Sequence, residues 1–83
     1  MKVVIHPHAE DRMEERGITS REIEETIERG ESFGAKFGRE GFRRNFSFDG
    51  RWRGRTFATK QVEVIAVWEK DSYIVITAWA KYY

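Results

Sequence analysis

The chain contains no cysteine, and this absence removes several classes of site at once. Without a thiol there is no disulfide, no thiolate nucleophile and no cysteine ligand for a metal. There is also no run of about twenty apolar residues, and Met1–Ile5 is too short and too soon interrupted to be a signal peptide. We therefore expect residues 1–83 to form a single cytoplasmic domain that makes no membrane contact.

Other catalytic signatures are missing as well. No glycine-rich phosphate loop follows a strand, and no Ser-His-Asp arrangement is visible by spacing. His6 and His8 flank Pro7 in the manner of two metal ligands, but no third plausible ligand lies nearby in the sequence. We therefore expect neither a metal nor a cofactor.

The charges are unevenly distributed along the chain, although the net charge is only +1. Residues 1–35 carry five Lys or Arg against nine Asp or Glu, residues 36–60 carry eight against two, and residues 61–83 carry two against three. A basic segment interleaved with aromatic residues is typical of nucleic-acid surfaces. A solvated arginine-rich hairpin whose aromatic side chains fill the core has the same composition. The predicted RNA-binding residues are Arg43, Arg44, Arg51, Arg53, Arg55, Lys60 and Lys81.

The first half of the chain predicts two helices with marked ends. Pro7 suits the first position of a helix, and Gly17 suits the left-handed residue that ends one. Thr19 and Glu22 form a capping box, which starts a second helix. The predicted helices span about residues 7–16 and 20–30. Their predicted core-facing residues are Ala9, Met13, Ile23, Thr26 and Ile27.

The second half predicts strands at Phe42–Phe48, Arg51–Thr59, Lys60–Glu69 and Tyr73–Tyr83. Asp49-Gly50 is the predicted first turn, because Asp-Gly supplies positive φ angles. A longer loop and a bulge are alternatives to this turn, since a two-residue loop places Trp52 and Phe46 on opposite faces of the hairpin. Lys70-Asp71-Ser72 is the predicted second turn. In the last strand, the residues predicted to face the helices are Ile74, Ile76, Ala78 and Ala80.

Helical spacing places three functional side chains on one stripe of the first helix, at the border of its apolar face: His8, Arg12 and Arg16. An imidazole that titrates near neutrality beside two permanent cations suits phosphodiester chemistry. Taken singly, a histidine at a helix start is more often a surface or capping residue.

Four segments also carry a family resemblance: His8-Ala9-x-x-Arg12-Met13-x-x-Arg16-Gly17-Ile18, Glu22-Ile23-x-x-Thr26-Ile27-x-x-Gly30, and the two valine-rich stretches Val62–Val67 and Val75–Trp79. They are similar to the DUF4258 family, which is grouped with RelE-like, barnase-type ribonuclease-fold toxins. The resemblance implies an α+β fold, in which two N-terminal helices pack on a curved antiparallel sheet of about four strands. It also implies a metal-independent ribonuclease, with RNA as substrate and an antitoxin protein as partner.

In the mechanism that the resemblance implies, the RNA 2′-hydroxyl attacks the adjacent phosphate. The implied catalytic residues are His8, Arg12, Arg16 and Thr77. His8 acts as general acid or base, the arginines clamp phosphate oxygens, and Thr77 orients the phosphate from the sheet. Glu63 is the alternative base. We therefore expect His8, Arg12 and Thr77 to line one cleft.

Two other functions stay open, because a fold does not determine a function. One is a nucleic-acid-binding module without catalysis, in which the basic hairpin holds RNA or DNA. The other is a homodimeric protein-interaction domain, with Trp52 or Trp79 in its interface.

Overall fold

The computed structural model describes residues 2–83, so Met1, the first residue of the predicted domain, lies outside the described residues. The elements in chain order are β1 (Lys2–Ile5), α1 (Pro7–Arg16), α2 (Ser20–Arg29), β2 (Glu31–Gly34), a 3₁₀ turn (Lys36–Gly38), β3 (Glu40–Trp52), β4 (Arg55–Glu69) and β5 (Ser72–Tyr82). The strands form one five-stranded sheet in the order β1-β5-β4-β3-β2. Strand β1 runs parallel to β5, and the other neighbours are antiparallel. The fold is therefore α+β with a mixed sheet.

The sheet differs in two ways from the predicted antiparallel sheet of about four strands. The predicted strands Arg51–Thr59 and Lys60–Glu69 are wrong as separate strands, because β4 is continuous from Arg55 to Glu69, and two short strands were not predicted. Strands β1 and β2 have four residues each and lie at opposite edges of the sheet. Four residues place only two side chains on each face, which is too few for a recognisable alternation. Their pairing partners, β5 and β3, decide their conformation more than their own sequence does.

Both helices have the predicted ends. Pro7 is the first residue of α1, and Gly17 ends it in the left-handed conformation with φ 71°. The capping box of α2 is complete: Thr19 Oγ1 accepts from Glu22 N at 3.1 Å, and Glu22 Oε1 accepts from Thr19 N at 2.9 Å. Caps involve residues close in sequence, so they can be predicted without knowing the tertiary structure.

The core lies between the helices and one face of the sheet. All five predicted helical core residues are buried, namely Ala9, Met13, Ile23, Thr26 and Ile27. They pack against buried residues of β3, β4 and β5, including Phe42, Val64 and Ala78, which are aligned across these three strands. Because successive residues of a strand face opposite ways, their neighbours Arg43, Glu63 and Trp79 lie on the other side of the sheet. We call that second side, which neither α1 nor α2 covers, the open face.

The first hairpin turns at Arg53-Gly54, so the predicted turn at Asp49-Gly50 is wrong. Arg53 and Gly54 both have positive φ, 50° and 81°, and Trp52 pairs with Arg55. Asp49 has φ 43° and lies in a β-bulge, where the register shifts by one residue of β3. The bulge, which the sequence left open, brings Trp52 and Phe48 to the same ring, Tyr82.

The second hairpin turns at Lys70-Asp71, within the predicted segment, and carries a bulge at Ile76. Ile65 pairs with Thr77 and Ala66 with Val75, so Ile76 is the extra residue of β5. Because of this extra residue, the side chains of β5 before the bulge face the opposite side of the sheet from the one predicted. Ala78 and Ala80 contact the core as predicted, whereas Tyr73 and Val75 take the places predicted for Ile74 and Ile76.

Gly30 joins α2 to β2 and lies between the backbones of α2 and β3. A Cβ atom at Gly30 would lie 2.4 Å from the Thr26 carbonyl oxygen and 2.6 Å from the Arg43 carbonyl oxygen. Backbone atoms cannot rotate away, so we expect Gly30→Ala to lower the free energy of unfolding by about 1–3 kcal/mol. Gly34→Ala is the matched control, since nothing lies within 4 Å of its Cβ position. Urea denaturation of both variants measures the difference, and equal stabilities would contradict this close approach.

Candidate nucleic-acid interface

His8 and Arg12 lie on the exposed side of α1, in a shallow depression of about 350 Å³ lined by His8, Asp11, Arg12, Glu14 and Glu15. Arg12 Nη1 lies 3.3 Å from Glu15 Oε2, so its charge already has a partner. Three carboxylates against one guanidinium give this depression a negative potential, which repels an RNA phosphate.

The two histidines at the start of α1 form a helix cap. His6 is the N-cap residue, and its Nδ1 accepts a hydrogen bond from His8 N at 3.2 Å. The two rings stack with centroids 5.4 Å apart. Among residues 2–83, no group of three or more His, Cys, Asp or Glu side chains is placed to hold a metal ion.

Arg16 anchors α1 to the sheet. Its Nη1 donates to the Ala78 carbonyl oxygen at 2.7 Å, and the Tyr82 hydroxyl donates to the Arg16 carbonyl oxygen at 2.8 Å. Burial and the nearby Glu22 carboxylate raise the pKa of Tyr82, with Arg53 acting in the opposite direction. Arg16 thus makes the two contacts that hold the end of α1 on β5.

Thr77 lies on the open face, on the opposite side of the sheet from α1. It follows Ile76 and precedes Ala78, whose side chain is buried under the helices. Thr77 instead lines a groove with Phe37 and Trp79. The prediction of one cleft containing His8, Arg12 and Thr77 is therefore wrong, because adjacent strand residues face opposite ways.

Lys60 is buried, which argues against the predicted contact with RNA. Its side chain is 5% exposed, and its Nζ lies 2.8 Å from Glu22 Oε1. The same ammonium donates to the carbonyl oxygen of Gly17. Lys60 thus ties the centre of the sheet to the turn between α1 and α2.

The three arginines around the first hairpin turn form a separate group. Arg51 Nη2 donates to the Gly54 carbonyl oxygen at 3.2 Å, and Arg53 Nη2 donates to the Glu15 carbonyl oxygen at 3.1 Å. Arg55 is exposed, with its guanidinium carbon 5.7 Å from the centre of the Phe57 ring. Two of the three therefore stabilise the turn and its contact with α1.

Arg43 and Arg44 contribute to a second, polar depression at the end of α2. It encloses about 510 Å³ and is lined by Arg29, Gly30, Glu31, Arg43, Arg44, Asn45 and Gln61; we call it the arginine notch. Arg43 Nε is paired with Glu63 Oε2 at 3.0 Å. The ion pairs within residues 2–83 involve neither Arg29 nor Arg44, and Arg44 Nε is buried without a hydrogen-bond partner among these residues.

Residues paired across β3, β4 and β5 connect the arginine notch to the open face. Asn45 lies beside Gln61, which lies beside Lys81, and Gln61 Nε2 donates to Asn45 Oδ1 at 2.9 Å. In the next row, Arg43 lies beside Glu63 and Glu63 beside Trp79. Neighbouring strands are about 4.8 Å apart, so Lys81 lies about 5 Å from Gln61 and Trp79 lies about 10 Å from Arg43.

A family model described as "Domain of unknown function (DUF4258)" matches residues 5–80, which is nearly the whole chain. The chain belongs to the DUF4258 family. No curated protein and no solved structure matches it. The matched segment of this DUF4258 domain includes both helices, both hairpins, the arginine notch and the groove at Thr77. Within residues 2–83 of the domain, no helix is long and apolar enough to cross a membrane.

Of the arginine-notch residues in this DUF4258 domain that were not predicted, three can donate hydrogen bonds from their side chains: Arg29, Asn45 and Gln61. Arg29 belongs to the acidic segment, residues 1–35, whose net negative charge conceals this single cation. Asn45 and Gln61 are the only asparagine and the only glutamine in the sequence. Their pairing across β3 and β4 is the signal that identifies them, and it requires the correct strand register.

Proposed function

We propose that this DUF4258 domain binds single-stranded RNA without cleaving it, with phosphates in the arginine notch and bases on the open face. The observation that supports the proposal is the notch itself, where Arg29 and Arg44 have no carboxylate partner among the described residues. A phosphate is the group that two guanidiniums bind best, through parallel charge-assisted hydrogen bonds.

The polar atoms of the notch also favour an anionic ligand. A buried guanidinium nitrogen without a partner, such as Arg44 Nε, costs about 1–3 kcal/mol relative to a satisfied one. An oxyanion that approaches Arg44 recovers part of this free energy when it reorients the side chain. The amide pair of Asn45 and Gln61 supplies further hydrogen-bonding groups at the same depression.

The open face favours a single strand over a duplex. Exposed rings lie on or beside it, including Trp79, which is 40% exposed, and Tyr83. Unpaired bases stack on such rings, whereas bases of a duplex are already stacked on one another. Lys81 lies between these two aromatic positions in sequence and adds a cation.

The arrangement favours binding over the ribonuclease activity of RelE-like, barnase-type toxins that the family resemblance implies. Cleavage needs an acid or base and a cation at the same phosphate. His8 lies among three carboxylates, and Thr77 lies on the other side of the sheet. The notch contains cations but no histidine among its lining residues.

We expect His8→Ala to leave RNA affinity unchanged within about twofold, because His8 is remote from the notch and the open face. We also expect the unmodified protein to leave RNA intact. Fluorescence anisotropy with a labelled single-stranded RNA measures binding, and gel electrophoresis of the same mixture measures cleavage. Cleavage by the unmodified protein that falls about 100-fold or more in His8→Ala would contradict the proposal and restore the catalytic role of His8.

An antitoxin protein and a second copy of the chain are competing partners for the same surfaces. Trp52 is half-buried, because its ring stacks on Tyr82 with centroids 4.9 Å apart and lies against Gly17. Trp79 is more exposed. Gel filtration at several protein concentrations distinguishes a homodimer through Trp79 from a monomer.

A further inference from the structure

A groove of about 270 Å³ lies between the 3₁₀ turn and the open face. Its main lining residues are Lys36, Phe37, Arg39, Ile65, Thr77 and Trp79. The rings and Ile65 give it apolar walls, Thr77 supplies one hydroxyl, and the two cations stand on the 3₁₀ side. No carboxylate lines it.

Phe37 is held in an unusual position at this groove. It is 87% exposed, and its φ of 63° lies in the left-handed region, which costs a non-glycine residue about 1–2 kcal/mol. Two backbone hydrogen bonds close the turn around it, from Arg39 N to the Lys36 carbonyl and from Ala35 N to the Arg39 carbonyl. A strained backbone that presents a large apolar ring to water is a feature of ligand-binding segments.

We infer that this groove is a subsite for one unpaired nucleobase, which stacks on Trp79 and Phe37 while Lys36 and Arg39 contact its flanking phosphate. The inference rests on the proposed function and names the part of the surface that reads the base. Thr77 then donates or accepts a hydrogen bond at the base edge, which gives this residue a binding role on the open face.

The chemistry of the groove favours a base over other small ligands. Two cations disfavour a positively charged ligand, and the apolar walls disfavour a bare phosphate. The volume is slightly below the roughly 300–1,000 Å³ of pockets for drug-sized ligands, so it suits a single ring system. A base in the groove is also connected to the notch, because Trp79 lies in the same row as Arg43, about 10 Å away.

The test compares two probes and two pairs of variants. The probes are a labelled single-stranded RNA of about ten nucleotides and an inorganic polyphosphate of similar length, which carries the charge but no bases. Phe37→Ala and Trp79→Ala remove the walls of the groove, and Trp79→Phe keeps a ring there. Trp68→Ala is the matched control, since Trp68 is also exposed but contacts Tyr73 and does not line the groove.

We expect Trp79→Ala and Phe37→Ala each to weaken RNA binding about 5- to 100-fold, as the loss of one stacked base predicts, and to leave polyphosphate binding unchanged. Trp79→Phe should retain most of the affinity. If Trp79→Ala and Phe37→Ala bind RNA as well as Trp68→Ala does, the base subsite is wrong while the proposed RNA binding stands. If the unmodified protein binds polyphosphate but shows no preference for RNA, both are wrong.

Discussion

Lys60→Met should lower the free energy of unfolding by about 3–5 kcal/mol, the largest effect we expect from a single side chain. The pair that it breaks is buried, with Lys60 5% and Glu22 20% exposed at the side chain. Removal of the ammonium leaves the Glu22 carboxylate without its charged partner and the Gly17 carbonyl without a donor. Met retains most of the volume, so a cavity contributes little.

A double-mutant cycle separates the ion pair from the rest of the site. The double variant Lys60→Met with Glu22→Gln should lose much less free energy of unfolding than the two single variants lose in sum, because neither charge is then left without a partner. Lys81→Met is the matched control at an exposed position of the neighbouring strand. Thermal and urea denaturation provide the measurement. If Lys60→Met lowers the free energy of unfolding by less than about 1 kcal/mol, the ion pair of Lys60 and Glu22 is accessible to water and is not effectively buried.

The double substitution Arg29→Ala with Arg44→Ala should weaken binding to single-stranded RNA about 100-fold. Each guanidinium makes charge-assisted hydrogen bonds to phosphate, and about 1.4 kcal/mol for each corresponds to tenfold in affinity. The loss of two phosphate contacts should also make the slope of log affinity against log salt less negative by about 1.4. Fluorescence anisotropy at several salt concentrations measures both quantities.

Arg51→Ala with Arg55→Ala removes the same charge from the hairpin turn and is the control. This turn lies about 30 Å along β3 from Arg44, beyond the notch. The control pair should weaken binding less than the notch pair. Equal losses would indicate a diffuse attraction between a basic segment and RNA, and the arginine notch would then have no special role.

The elements that the sequence predicts well are those determined by nearby residues. Helices α1 and α2 have their predicted bounds, because Pro7, Gly17 and the Thr19–Glu22 capping box act within a few positions of one another. The second hairpin was predicted for the same reason, whereas the turn of the first hairpin was predicted four residues too early. The sequence pattern also placed Thr77 and Trp79 away from the helices.

What the sequence did not predict depends on contacts between distant residues. The bulges at Asp49 and Ile76 shift the register by one residue, and no local pattern requires them. Lys60 resembles its basic neighbours in the sequence, and only Glu22, 38 positions away, distinguishes it. The notch combines the end of α2 with β2, β3 and β4, so its arginines cannot be grouped without the tertiary structure.

The parallel pairing of β1 with β5 has a consequence for how the chain is made. Lys2 pairs with Ser72, and α1 packs on β5, so elements at the start of the chain depend on the last strand. At about 5–20 residues per second, a ribosome delivers β5 several seconds after α1. During that interval the apolar sides of both helices have no complete sheet to cover them. The domain therefore acquires its native structure only after β5 has been synthesised, when its most distant segments meet.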